Sequence, residues 1–432
     1  MRWITPCNNY GRGIIEEKRE SFGLWECALH ALKKSEPSRI RGVEEKVYKP
    51  LKWSYDSLQG QQLKSCFLFF CLFPEDFEID TYKLVQYWVA EGLVDEHQNF
   101  EQLQNEVLRI VHYLKDCCLL EEGQLANHVK MHDVVRDVGV WIAKSLEEGC
   151  KSINKAGQQL FNCSERMNRV LFVESSIEFL PNCNIHCSQA STLVLQERCN
   201  ELFELPSLAT LGMLQVLNCS ASAITKLPED FEKLTNLKQL DLSHTYKLRR
   251  ICSQKLSNLC SLEFLNMMGS ATKWGMRKVN DENVPFEKLL CLDQLISFHI
   301  DLEDISHASN EHVSWLGRIN SFFVNVTHDH NRSYGTYVPN TKSVFFSGFL
   351  FSGNESIGWL LVHAFCCEIR HCNDNIESSG DEGSVKLLQA RPKSQTNKNK
   401  ALTSSDSAPL APTAQANTPI VIGARQLLLP LS

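Results

Sequence analysis

Two hydrophobic patterns follow one another along the 432-residue chain. From Trp25 to Ser145 apolar residues recur at intervals of three and four, the period of helices that bury one face. Leu103, Val107, Ile110, Val111 and Leu114 share such a face, and Asn99 with Gln102 supplies a cap with a box-like partner. Leu84, Val85, Trp88 and Val89 make a second stripe behind Asp80, an N-cap residue, while Pro74 ends the apolar run that reaches Phe73. Leu119 to Glu121 and Val129 to Met131 flank a polar turn, Glu122 to His128, and predict a short strand pair. A last helix is expected to bury Val134, Val138, Trp141 and Ile142. Helices followed by a small hairpin outline a winged-helix domain.

From about Met167 the pattern becomes a repeat. The second apolar position of each strand-like segment falls at Val170, Leu193, Leu217, Leu240 and Leu265, with spacings of 23, 24, 23 and 25 residues. Two residues further on stand Phe172, Leu195, Cys219, Leu242 and Met267, and Leu-Pro marks recur at Leu180-Pro181, Leu205-Pro206 and Leu227-Pro228. This is the period and phase of a leucine-rich repeat. Alternate residues of each short strand then fill a shared core, and those between them face the concave surface. Asn218, Ser220, Asp241, Ser243 and Asn266 occupy such positions and are expected to be exposed there, as contacts for a partner. After Met267 the register weakens, with Phe298 and Ile300 as one further strand.

The predicted architecture is multidomain: a mainly helical winged-helix domain, an α/β leucine-rich-repeat solenoid of short parallel strands, and a disordered C-terminal tail. The segments are 1–23, an atypical start; 24–150, helical and winged-helix; 165–300, repeats; 301–372, degenerate repeats or an irregular region; and 373–432, low complexity.

Composition narrows the function. With 43% hydrophobic and 22% charged residues the chain can fill more than one core. Its net charge is -7, and between Leu51 and Cys150 there are 8 Lys/Arg against 17 Asp/Glu. The helix that would enter a DNA groove carries Glu101, Glu106 and Asp116 against Arg109 and Lys115, so a winged-helix transcription factor is disfavoured. The tail is basic, with six Lys/Arg and one Asp/Glu over Gly383 to Ser432. Eighteen scattered cysteines, without an export signal or an apolar run of membrane length, read as reduced thiols of a cytoplasmic protein.

The familiar chemical motifs are missing. No Gly-x4-Gly-Lys-Ser/Thr loop is present to cradle phosphates, Gly11-Arg-Gly13 lacks the third glycine of a dinucleotide fingerprint, and neither Gly-x-Ser-x-Gly nor His-Glu-x-x-His occurs. Enzymatic activity, ATP hydrolysis included, is not expected. His128 and His132 are four apart, and His363, Cys366, Cys367, His371 and Cys372 cluster, but neither set has a second ligand pair at matching spacing, and no metal is assigned.

Several segments together resemble the plant intracellular immune receptors of the nucleotide-binding, leucine-rich-repeat class, coiled-coil type. They are Trp25-Glu-Cys-Ala-Leu, Leu51-Lys-Trp-Ser-Tyr-Asp-Ser-Leu58, Cys66-Phe-Leu-Phe-Phe-Cys-Leu-Phe-Pro-Glu-Asp76, Tyr87-Trp-Val-Ala-Glu-Gly92 and Met131-His132-Asp133. The resemblance runs from about Trp25 to Ile300. It implies that His132 contacts the β-phosphate of bound ADP, with Met131 and Asp133 shaping the turn, in a switch where ATP replaces ADP. It also implies that the repeats sense a pathogen effector or a guarded host protein, in the cytoplasm or at the membrane periphery through partners. The family's phosphate loop should precede Trp25 and is absent, so the chain reads as N-terminally truncated, with nucleotide binding weak or lost. A nucleotide-independent adaptor or decoy is the alternative, working through proteins or full-length receptors.

Overall fold

The computed structural model describes residues 43–94, 100–145, 168–173, 188–196, 203–205, 207–248, 251, 256–275, 283–305, 309–327, 341–347, 358–370, 386–389 and 420–421. Asn99 and the atypical start, Met1 to Gly23, lie outside them, as do the Leu180-Pro181 mark, His371 and Cys372.

A π-type turn, Glu44–Tyr48, leads into α1, Lys49–Asp56, with proline in its first turn. Gly60, at a positive φ of 90°, starts α2, Gln61–Phe70. Strand β1, Ile79–Asp80, runs into α3, Thr81–Ala90, where Asp80 Oδ1 accepts from Tyr82 N at 2.8 Å as the sequence predicts. Next comes α4, Phe100–Asp116, with the expected five-residue face buried, then β2, Glu121–Glu122, and β3, His128–Lys130. The three strands form an antiparallel sheet in the order β1-β3-β2, the wing.

Helix α5, Asp133–Ser145, closes the unit. Its buried residues are Val135, Val138, Ile142 and Ala143, whereas Val134 and Trp141 are half-exposed. The apolar stripe is therefore turned one position from the expected one, because Trp141 lies edge-on against Tyr48 at the rim, 5.5 Å away. Six aromatic residues, Phe67, Phe69, Phe70, Phe73, Tyr87 and Trp88, fill the centre. Helix α5 passes so close to the end of α2 that a Cβ on Gly139 would stand 2.1 Å from Cys71 Sγ.

The repeats follow the predicted register residue for residue. Strands β4, Arg169–Val173, β5, Thr192–Gln196, β6, Val216–Asn218, β7, Gln239–Asp241, and β8, Phe264–Asn266, pair in parallel. Val170 faces Leu193, Leu193 faces Leu217, Leu217 faces Leu240, and Leu240 faces Leu265. The sheet does not stop near Ile300. It continues through β9, Ser297–Asp304, β10, Ser321–Thr327, β11, Lys342–Ser347, and β12, Cys366–Arg370, all parallel. Leucine spacing does not mark the later strands because Phe322, Val324 and Val344 take the core positions, and Phe298 follows Leu265 by 33 residues, a longer step than between the repeats before it; helix α6, Asn310–Arg318, fills the next connection. Lys342 pairs in register with Phe322, and its ammonium caps α6 by donating to Leu316 O and Gly317 O at 3.1 Å. In the span expected to be disordered, Lys386–Gln389 and Ile420–Val421 are short strands at the edge of the sheet. The rest of that tail lies outside the described residues.

Candidate functional site

Three successive repeats leave the sheet through the same turn. Asn218 Oδ1, Asp241 Oδ1 and Asn266 Oδ1 accept from the backbone N–H two residues on, at 2.8, 3.0 and 3.2 Å. The chain then turns through left-handed residues at Ala221, His244 and Gly269, with φ of 56°, 58° and 70°. Short side chains with an acceptor are needed there to close an Asx turn. This leaves the other polar atom of each residue on the concave surface.

The concave surface is covered by α3. One face of that helix, Leu84, Val85, Trp88 and Val89, belongs to the winged-helix core, while Tyr82, Lys83, Gln86 and Tyr87 rest on the repeats. From its C-terminal end backwards it reads successive strands. Glu91, just past α3, accepts from Arg169 Nη2 at 2.8 Å and Nε at 3.0 Å, from Ser191 Oγ at 3.0 Å, and from Thr192 Oγ1. Tyr87 Oη accepts from Asn218 Nδ2 at 2.5 Å. Lys83 Nζ lies 3.0 Å from Asp241 Oδ2 and 3.4 Å from Ser220 Oγ, and Gln86 Oε1 accepts from Gln239 Nε2 at 3.3 Å. Tyr82 Oη meets Ser297 Oγ at 2.8 Å and Ser321 Oγ at 3.1 Å, and its ring stacks on His299.

The electrostatics suit a charged pair held out of water. Burial alone would neutralise Asp241, which is 1% exposed, but Lys83 and the Ser243 donors hold its carboxyl below the usual range. Burial likewise opposes the charge on Lys83, and Asp241 together with Tyr87 and Asp80 outweighs it, so the ammonium is raised. At His299 burial prevails: it pushes the imidazole down to about 4 against a smaller opposing effect of Asp241.

The sequence placed Asn218, Ser220, Asp241, Ser243 and Asn266 on the concave face, and they are there. They are not exposed. Asn218, Ser220, Asp241 and Ser243 are buried and Asn266 is half-buried, because the same chain supplies the helix that covers them. The α3 side of this contact went unread in the sequence. Its signal is the polar series Lys83, Tyr87 and Glu91, spaced by four on an otherwise apolar helix and matched to strands 23 to 24 residues apart.

His132 sits at the start of α5, about one-third exposed, its Nδ1 against Asp133 Oδ1 and 3.2 Å from Val134 N. Met131 is buried with its sulfur 3.7 Å from Cys71 Sγ, and Asp133 Oδ1 accepts from Val134 N at 2.6 Å. The turn thus engages the Nδ1 side of the ring. His128 Nδ1 instead faces Ala126 O, and Cys366 and Cys367 are successive strand residues, of which Cys367 is in the core. No group of three His, Cys, Asp or Glu residues among the described residues could hold a metal ion. No helix among them is long and apolar enough to cross a membrane.

Comparison with known proteins gives these features a lineage. Residues 72–139 match the disease resistance protein winged-helix domain. The chain is similar to disease resistance protein At4g27190 of Arabidopsis thaliana, at 30% identity over 83% of this chain and 42% of that one. Probable disease resistance protein At4g27220, from the same plant, is 33% identical over 81% of this chain and 43% of its own length. Disease resistance protein SUMM2, also from Arabidopsis, is 36% identical over 51% of this chain and 26% of its own. The chain thus spans about two-fifths of the length of the first two relatives. Among solved structures, a leucine-rich-repeat protein of Leptospira interrogans aligns at 14% identity over 43% of this chain and 53% of that one, with a TM-score of 0.29. The repeat assignment rests on the strand register described above. A winged-helix domain of the disease resistance kind, joined to a leucine-rich-repeat array, thus makes this chain similar to plant disease resistance proteins over about four-fifths of its length.

Proposed function

We propose that this chain is the sensing and regulatory portion of a disease resistance receptor, in which the repeats contact a pathogen effector or a guarded host protein and the winged-helix unit transmits that contact. The seating of α3 on the concave face carries this reading. Helix α3 shares one packed core with α5, which begins beside His132, so a displacement of the repeats is felt at the histidine. In the complete switch, His132 would hold the β-phosphate of ADP, with Met131 anchoring the turn and Asp133 beside the ring. The chain acts as a switch and not as a catalyst, and its partners are proteins.

Charge reversal tests the coupling. Lys83→Glu places two carboxylates together and releases α3 from the repeats. Amide hydrogen exchange is expected to speed up at 216–243 and also at 128–136. Unchanged exchange at 128–136 refutes the transmission. Nucleotide released from the denatured wild-type protein tests the switch: near-stoichiometric ADP, reduced by His132→Ala, supports it. A folded chain without nucleotide is instead an adaptor that works through its repeats alone.

A further inference from the structure

We infer that the concave face of the repeats is a helix-reading surface, and that its external ligand is a protein α-helix presenting a cation to Asp241 and, eight residues later, a carboxylate to Arg169. The inference names the partner chemistry of the sensing surface just proposed and rests on that reading.

Geometry comes first. From Lys83 to Glu91 a helix advances about 12 Å at 1.5 Å per residue. From β7 to β5 the sheet spans two strand spacings, about 10 Å. One helical turn therefore meets one repeat, and side chains four apart find equivalent positions on neighbouring strands: Lys83 at Asp241, Tyr87 at Asn218, Glu91 at Thr192 and Arg169. An extended peptide laid the same way would advance more than 3 Å per residue and lose this match within one repeat.

Charge fixes the direction. A carboxylate waits at one end of the groove and a guanidinium with two hydroxyls at the other, so a helix entering in reverse would set carboxylate on carboxylate.

The resident helix also satisfies its site incompletely. Gln239 Oε1 is buried without a hydrogen bond, while the neighbouring Asp241 Oδ2 rests on the single Lys83 ammonium at 3.0 Å. A buried acceptor left unmade costs stability and favours any competitor able to fill it. Arginine in the place of Lys83 has the planar, five-donor fork to reach both atoms, which a lysine cannot do at once. The occupant that displaces α3 is accordingly a helix with arginine at that position.

The test uses the full chain and a fluorescein-labelled peptide of residues 80–93, held helical by a hydrocarbon staple replacing Leu84 and Trp88, which face away from the repeats. Fluorescence anisotropy should show the probe binding the Lys83→Glu chain at least tenfold more tightly than wild type, whose groove is filled. A Lys83→Arg probe should bind at least threefold more tightly than the parent probe. Adding Asp241→Lys to the opened chain re-forms a pair with the glutamate and should abolish binding. Circular dichroism checks folding, and a Lys83→Met chain replaces Lys83→Glu if the charge reversal does not fold. Binding that ignores Asp241, or no binding to a folded, opened chain, overturns the inference. If that same chain still shows faster exchange at 128–136, the coupling stands and only the helical ligand falls.

Discussion

The winged-helix unit and the repeat array bury similar residues by different means. The first is a single knot in which Phe67, Phe69, Phe70, Tyr87 and Trp88 each occupy a unique place. The second reuses one place: Leu193, Leu217, Leu240 and Leu265 stand in line at the same depth, each meeting only its neighbours. Where the two meet, the contact is made by Lys83, Asp241, Glu91, Arg169, Asn218 and Tyr87. Apolar residues meet there as well: Leu171, Val194, Val216 and Phe264 of the repeat strands pack into the winged-helix core, and the Phe100 ring lies against Phe264. The knot and the array are thus joined by a seam of paired charges set among apolar contacts.

Breaking the knot should have the largest effect. Gly139→Ala forces a methyl into Cys71 Sγ at 2.1 Å and against the Phe67 ring at 3.2 Å. Overpacking of this severity costs about 3 kcal/mol or more. Denaturant unfolding should show the loss, and Cys71→Ala in the same chain should recover part of it; an unperturbed midpoint would mean that α2 and α5 are not so close.

Breaking the seam comes next. Lys83→Ala leaves the Asp241 carboxylate buried and unpaired, a loss of about 2–3 kcal/mol once the partial exposure of the lysine is allowed for. The loss should appear as separation of the two units before either core melts, resolved by comparing small-angle scattering with near-ultraviolet dichroism. Loss of both signals together would place the pair inside a common folding unit.

Acid sharpens the comparison. The folded His299 imidazole lies at about 4 and its unfolded value near 6.5, so between these the unfolded chain binds the extra proton. The preference for the neutral ring is intact above pH 6.5 and is lost as pH falls toward 4, a change of about 3 kcal/mol. Because His299 stacks on Tyr82 at the seam, acid should loosen the seam first. His299→Gln should flatten the stability profile between pH 4 and 6.5, and an identical profile would exclude this histidine as the cause.

The array should respond least. Ala221 holds a φ of 56° where the equivalent turn two repeats later has Gly269. Ala221→Gly relieves the left-handed strain and gives back part of it as chain entropy, a net gain of about 0.5 kcal/mol. A higher urea midpoint with an unchanged slope is the expected result, and a lower one would show that the methyl contributes to packing.

The sequence by itself determined both folds. Val170, Leu193, Leu217, Leu240 and Leu265 pair in the structure as their spacing dictates, since a parallel sheet repeats one environment and the code for it recurs with the same period. Asp80 capped α3 and the face of α4 was buried for equally local reasons. Past Ile300 the code became harder to read, because phenylalanine and valine satisfy the same core position and the eye follows leucine. Local pattern could also place Asn218 and Asp241 on the concave face, but it could not say whether water or protein lay above them. That was decided by tertiary structure alone: Lys83 and Asp241 are 158 residues apart in the chain, and only the docking of one finished unit on the other brings their charges within 3.0 Å.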